Sequence, residues 1–113
     1  MKSERIILHI TSRREWDAAQ AVGEYRGDTL DSDGFIHCST RQQVMEVANA
    51  HFRGQRDLVL LCIVEDKVQV EIRYEDLYDA GQEFPHIYGP LNLDAVVAVE
   101  EVRSEEAGVK EQE

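Results

Sequence analysis

The sequence Leu58-Val59-Leu60-Leu61-Cys62-Ile63-Val64 is an unbroken apolar run that is rich in branched aliphatic side chains. A strand with one solvated face alternates apolar and polar residues, whereas a strand covered on both faces stays apolar throughout. The run therefore predicts a central strand over 58–64, and the remaining elements must cover both of its faces.

Four further strands are predicted around this one. An apolar run predicts a first strand over 6–10, and a shorter run predicts a strand over 35–38. Apolar and polar residues alternate over 68–73, which is typical of a strand with one solvated face. The valine-rich segment 94–102 predicts the last strand.

The first helix is predicted directly after the first strand. Ser12 is followed three residues later by Glu15, which is the spacing of a capping box, and Gly23 is a helix stop. We therefore expect a helix over 12–22.

The second helix is predicted to begin at Ser39 or Thr40, because each has a glutamine three residues further on. Apolar side chains then recur at helical spacing until Gly54, and His51 falls on their stripe, where we expect it to be partly buried. With two helices early and most strands late, the chain fits a single α+β domain over residues 1–102 with a mixed or largely antiparallel sheet. The charged segment 103–113 is expected to be a disordered acidic tail.

Composition excludes several classes of function. The chain has 113 residues, with 12 Lys and Arg against 23 Asp and Glu, for a formal charge of -11. Such a chain lacks the basic surface of a general nucleic-acid binder or of a protein that docks on anionic membranes. One small anionic ligand stays compatible with this charge, because a local site can differ in sign from the whole.

The N-terminal apolar run is too short for a signal peptide or a membrane span. Cys38 and Cys62 form no C-x-x-C pair and fit a reducing compartment, so we expect a cytoplasmic protein with no disulfide. The sequence does not determine the oligomeric state.

Two predicted strands carry the same pattern of functional residues. His9 and Thr11 share one face of the first strand, and His37 and Ser39 share one face of the second. Each strand leads into a helix N-terminus, where N–H groups favour anions, and Arg13 adds a positive charge there. If the strands lie side by side, they form a cleft with His9 and His37 as candidate catalytic residues.

The same residues also fit structural roles. A histidine on an apolar strand is often a satisfied core residue, and Ser12, Ser39 and Thr40 fit helix caps. The segment Phe84-Pro85-His86-Ile87-Tyr88-Gly89-Pro90-Leu91 fits either a loop that forms a ligand wall, with His86 and Tyr88 as contacts, or a structural turn. Tyr25 fits either a ligand stack or the core.

A metal site is not predicted, because no tight ligand spacing joins the histidines and because His37 and Cys38 point to opposite faces of a strand. The same geometry argues against a cysteine–histidine nucleophile pair. The cysteines are expected to be small core residues.

Three motifs together resemble the bacterial domain-of-unknown-function family 952. They are HIT-x4-W at 9–16, GFIHCS at 34–39 with the Gln43 and Ala48-Asn49 positions that follow, and FPHIYGPLN at 84–92. The resemblance implies an ADP-ribosyltransferase-like fold, in the branch of RNA 2'-phosphotransferase, which uses NAD. It implies that His9 and Thr11 contact the ribose or its phosphates, and that His37 and Ser39 line the nicotinamide ribose.

The chain departs from those enzymes in two respects. It lacks the arginine cluster that binds an RNA phosphate, and its available glutamates (Glu71, Glu83, Glu100 and Glu101) lie in no recognisable motif. Three hypotheses follow: an NAD-using transferase or hydrolase, a non-catalytic module that binds a nucleotide or small anion, and a protein whose histidines are structural.

Overall fold

The protein is described here from a computed structural model, which covers residues 5–27 and 29–102. Three helices are present in these ranges: α1 (Arg13–Val22), α2 (Thr29–Asp33) and α3 (Arg41–His51). The strands are β1 (Ile6–Ser12), β2 (Glu24–Tyr25), β3 (Ile36–His37), β4 (Leu58–Val64), β5 (Glu71–Glu75), β6 (Phe84–Tyr88), β7 (Leu91–Asn92) and β8 (Val96–Val102). Short 3-10 helices lie at Glu65–Lys67 and Leu93–Ala95.

The central strand predicted over 58–64 is confirmed at both ends as β4. It pairs antiparallel with β1 on one side and with β8 on the other, and all of its residues are buried. Val59, Leu61 and Ile63 belong to one core cluster, and Leu58, Leu60 and Cys62 belong to the other. The two clusters lie on opposite faces because successive side chains of a strand alternate.

The predicted helices are confirmed with their caps. Ser12 accepts a hydrogen bond from the Glu15 backbone N–H at 3.0 Å, and Gly23 closes α1 in the left-handed conformation, with φ 105°. Thr40 precedes α3, and its N–H donates to Gln43 Oε1 at 2.9 Å. α1 adds Trp16 and Ala19 to one core cluster, and α3 adds Val44 and Ala48 to the other.

Three local predictions are wrong. The segment over 84–91 was expected to be a loop, but β6 is the middle strand of a sheet ordered β3-β6-β5. The strand expected over 68–73 lies at 71–75. The short helix α2 has no counterpart among the predicted elements. His51 is exposed on α3 rather than partly buried.

The fold is α+β with antiparallel pairing, but it has three small sheets where one was expected. None of the helices within 5–27 and 29–102 combines the length and apolar content needed to cross a bilayer. The predicted acidic tail, 103–113, lies outside the described residues.

Candidate functional site

The first and third sheets meet where β1 runs beside the chain that leaves β3. Leu8 and Ser39 form an isolated antiparallel bridge, with backbone hydrogen bonds of 2.8 and 2.7 Å in the two directions. The Cys38 N–H donates to the Pro85 carbonyl at 3.0 Å, which ties the same segment to β6. This seam brings the histidine-bearing strands side by side.

A cavity of about 490 Å³ opens at the seam. The chain has four histidines, and all of them line this cavity: His9, His37, His51 and His86. They come from three strands and one helix that are far apart in sequence, so only the tertiary fold brings them together. The volume falls within the range of small-molecule sites, roughly 300–1,000 Å³.

The other lining residues are mostly apolar or aromatic, and they include Val47, Phe52, Tyr78 and Phe84. Among the described residues that line the cavity, none is Lys, Arg, Asp or Glu. Imidazole is therefore the group that can place positive charge on this surface, while the hydroxyl of Ser39 and those of Thr29 and Tyr78 add neutral polar groups.

His37 lies at the mouth of the cavity. Its side chain is 36% exposed, and its Nε2 lies 2.9 Å from Asp33 Oδ2. This hydrogen bond lowers the pKa of Asp33 below its ordinary value. Tyr78, which is 64% exposed, stacks beside the imidazole with ring centroids 6.0 Å apart.

His86 lies deeper in the wall. It is the cross-strand partner of His37, and the two imidazole centroids are 5.4 Å apart. Phe35 stacks on its ring at 4.2 Å. Glu75 Oε1 lies 2.8 Å from His86 Nδ1 and accepts the Tyr88 hydroxyl at 2.6 Å. A carboxylate on the outer strand thus orients a buried imidazole.

The two bonds to Glu75 give a pH-dependent prediction. The Tyr88 hydroxyl first, and His86 second, hold the pKa of Glu75 below its ordinary value of 4.5. A carboxyl whose pKa is lowered by folding stabilises the fold above its unfolded pKa, and this stability is lost as the pH falls. The free energy of unfolding, measured by urea titration, should therefore fall more steeply below about pH 4.5 in the wild type than in Glu75→Gln.

Glu83→Gln is the matched control for this experiment, because it removes an exposed carboxylate outside the network. The free energy of unfolding of Glu83→Gln should fall below about pH 4.5 as steeply as that of the wild type. Equal slopes for Glu75→Gln and the wild type would show that the Glu75 contacts are not formed in solution.

His9 is held through both ring nitrogens. Nδ1 lies 2.5 Å from the His37 carbonyl oxygen, and Nε2 lies 2.7 Å from the Tyr25 hydroxyl. Tyr25 donates its proton to Thr11 Oγ1, and Thr11 donates to Glu15 Oε1. Both ring nitrogens of His9 are therefore engaged in hydrogen bonds within the protein.

The predicted site residues divide into two groups. The cavity is lined by His9, His37, Ser39 and His86, whereas Thr11, Arg13, Tyr25 and Tyr88 lie outside its lining. Thr11 and Tyr25 are buried behind His9, and Tyr88 lies behind His86. Arg13 begins α1 and forms an ion pair with Glu101 at 3.5 Å.

Metal binding and thiol chemistry both depend on how the histidine, acidic and cysteine side chains are placed. Within the described residues, no group of three or more His, Cys, Asp or Glu side chains is placed to hold a metal ion. Cys38 and Cys62 are buried members of the two core clusters. Burial raises the pKa of the Cys38 thiol, which leaves it protonated and unreactive.

Several residues of the site were not predicted from the sequence. Tyr78 lies in a segment without periodicity, and Glu75 meets His86 only because β5 pairs with β6. Asp33 precedes His37 by four residues, and this spacing alone does not indicate a contact across the turn at Gly34. The register of β5 with β6 is the signal that would have identified Glu75.

The fold and site together define a single-domain α+β protein with a histidine-lined cavity at the seam of two antiparallel sheets. The chain belongs to the DUF952 family, whose profile, described as "Protein of unknown function (DUF952)", matches residues 10–99. The predicted family is therefore confirmed. A comparison with curated proteins finds no match.

Solved structures of one related protein show the same fold. The crystal structure of protein CC0527 from Caulobacter crescentus has 37% identity and a TM-score of 0.82, and the match covers 92% of this chain and 91% of that one. The solution NMR structure of CC0527 has 40% identity and a TM-score of 0.73, with 86% and 84% covered.

Proposed function

We propose that the histidine cavity binds a nucleotide of the NAD or ADP-ribose type, and that the protein is a transferase that uses it. The observation that carries this proposal is the convergence of all four histidines on one cavity. Four imidazoles with aromatic neighbours match a ligand that combines flat heterocycles with ribose hydroxyls and phosphates.

The flat part of such a ligand fits the mouth of the cavity. Tyr78 and His37 lie face to face with centroids 6.0 Å apart, and Tyr78 is largely exposed. The side chain of Tyr78 is thus free of tight packing, and a nicotinamide or adenine ring can stack there.

The polar part of the ligand fits the seam. Ser39 is buried at 4% exposure, and its hydroxyl makes no hydrogen bond with any described residue. It therefore offers a donor and an acceptor to a ribose hydroxyl. His9 lies in the same lining, where the described residues carry no acidic group, so that an imidazole there can place positive charge near anionic phosphates.

His9 acts on the ligand through His37 in this arrangement. Because its nitrogens are committed to Tyr25 and to the His37 carbonyl, His9 fixes the backbone that carries the His37 ring. The same commitment favours the second candidate function, a module that binds the nucleotide without turnover, since His9 then supplies no free acid or base.

Thermal shift with NAD, ADP-ribose and nicotinamide, each alone, tests the binding. A ligand at 100 times its Kd stabilises the native state by about 2.7 kcal/mol, so the melting temperature should rise by several degrees. The rise should be lost in His37→Ala and Ser39→Ala. It should persist in Met45→Ala, which removes an exposed side chain of α3 outside the cavity lining.

No shift with any of the three compounds, or an unchanged shift in His37→Ala, would contradict the proposed site. Release of nicotinamide from NAD separates the two candidates. Turnover supports the transferase, and binding without turnover supports the non-catalytic module.

A further inference from the structure

His86 combines deep burial with an open nitrogen. Only 2% of the residue is exposed, yet it lines the cavity. Its Nδ1 is bonded to Glu75, while its Nε2 makes no hydrogen bond with any described residue. Because His86 Nε2 has no partner among the described residues and is not fully buried, it keeps some exposed surface on a residue that lines the cavity.

The partner of Nδ1 determines which nitrogen carries the proton. Glu75 Oε1 already accepts the Tyr88 hydroxyl, and a carboxylate can only accept, so Nδ1 donates to it. In the neutral ring Nε2 then holds a lone pair that faces the cavity. The Arg73 guanidinium lies 4.5 Å from the centroid of the Tyr88 ring, and its side chain is half exposed and paired with Glu71.

We propose that His86 is the general base that activates a hydroxyl acceptor in this cavity, and that Glu75 and Tyr88 position it. The inference rests on the proposed function. The acceptor oxygen attacks the anomeric carbon of the nicotinamide ribose, and its proton passes to His86 Nε2. The carbon–nitrogen bond breaks, and nicotinamide leaves with the electron pair. The Glu75 carboxylate, 2.8 Å from Nδ1, stabilises the imidazolium that results.

The other histidines fit this task less well. Both nitrogens of His9 are bonded to protein groups. His37 also has a carboxylate partner, but Asp33 is 38% exposed, and solvent weakens such a pair. His86 has only 2% of its side chain exposed, and its carboxylate partner Glu75 is 22% exposed, which is less than Asp33.

The proton position can be measured without a substrate. NMR of protein labelled with ¹⁵N-histidine should show His86 protonated at Nδ1 and unprotonated at Nε2. Glu75→Ala should lose this fixed tautomer. Glu71→Ala is the matched control, since it removes a glutamate of the same strand that bonds Arg73. A wild-type ring protonated at Nε2 alone would overturn the assignment.

The catalytic role is measured as nicotinamide release from NAD with a small alcohol as acceptor. His86→Gln should lower kcat by about 10²- to 10⁴-fold while KM for NAD changes little. Glu75→Ala should also lower kcat, and it serves as the second variant if His86→Gln does not fold. Glu71→Ala should retain wild-type turnover.

The outcomes separate the two proposals. A wild-type protein that binds none of the nucleotides overturns the proposed function and the reaction with it. Binding of NAD without nicotinamide release, or unchanged kcat in His86→Gln, overturns the general base and leaves the binding site standing.

Discussion

Replacing His9 with alanine is expected to lower the free energy of unfolding by roughly 3 kcal/mol, because two hydrogen bonds are lost at once. The His37 carbonyl and the Tyr25 hydroxyl each lose one bond to the imidazole. The edge contact between the His9 and Tyr25 rings, with centroids 5.2 Å apart, is lost as well. Since the His37 carbonyl lies at the seam, the change also loosens the joint between the first and third sheets.

Urea denaturation at neutral pH measures this effect. His51→Ala is the matched control, because it removes an exposed histidine of the same cavity and should change stability by no more than about 0.5 kcal/mol. His9→Gln, which keeps a donor and an acceptor, should recover part of the loss. A His9→Ala protein as stable as His51→Ala would show that the hydrogen bonds of His9 with Tyr25 and with the His37 carbonyl do not stabilise the fold.

Replacing Gly89 with alanine is expected to destabilise the protein by about 2–4 kcal/mol, from backbone strain and overpacking together. Gly89 has φ 154°, in a region that residues with a side chain rarely adopt. A Cβ built there lies 2.8 Å from Val70 Cγ1 and 3.0 Å from Val70 Cβ. Because Val70 Cβ is one of the atoms in close contact, rotation of the Val70 side chain about χ1 relieves the crowding only in part.

Two comparisons separate strain from crowding. Gly54 has φ 84°, and a Cβ built there meets nothing within 4 Å, so Gly54→Ala should show the strain alone and a smaller loss. Adding Val70→Ala to Gly89→Ala should recover, relative to Val70→Ala itself, the part of the crowding that comes from the Val70 methyl groups, whereas the contact with Val70 Cβ at 3.0 Å stays. A Gly89→Ala protein no less stable than Gly54→Ala would contradict the packing of the Tyr88–Gly89 turn against Val70.

Local sequence signals predicted several elements closely. β4 follows from an apolar run at its full length, and the starts of α1 and α3 follow from Ser12 and Thr40. These signals act within a few residues, through caps, periodicity and the absence of polar interruption. These local signals do not depend on how the rest of the chain folds.

β6 shows where local signals failed. Its sequence contains Pro85, which removes a backbone donor and is unusual inside a sheet. The strand tolerates it because Pro85 lies just beyond the two-residue strand β3, and its carbonyl accepts the Cys38 N–H. The partner segment, and not the propensity of Phe84–Tyr88, makes this stretch a strand.

The amino-acid sequence alone determined the family, the α+β class, the buried central strand and the candidate histidines at 9, 37 and 86. The tertiary structure alone decided that these rings meet His51 around one cavity, that Glu75 lies behind His86, and that Thr11 and Tyr25 lie behind His9. The physical reason for this division is how far along the chain each kind of interaction reaches. Caps and periodicity act between neighbours in sequence, whereas the seam depends on strand registers that join residues 28 and more positions apart.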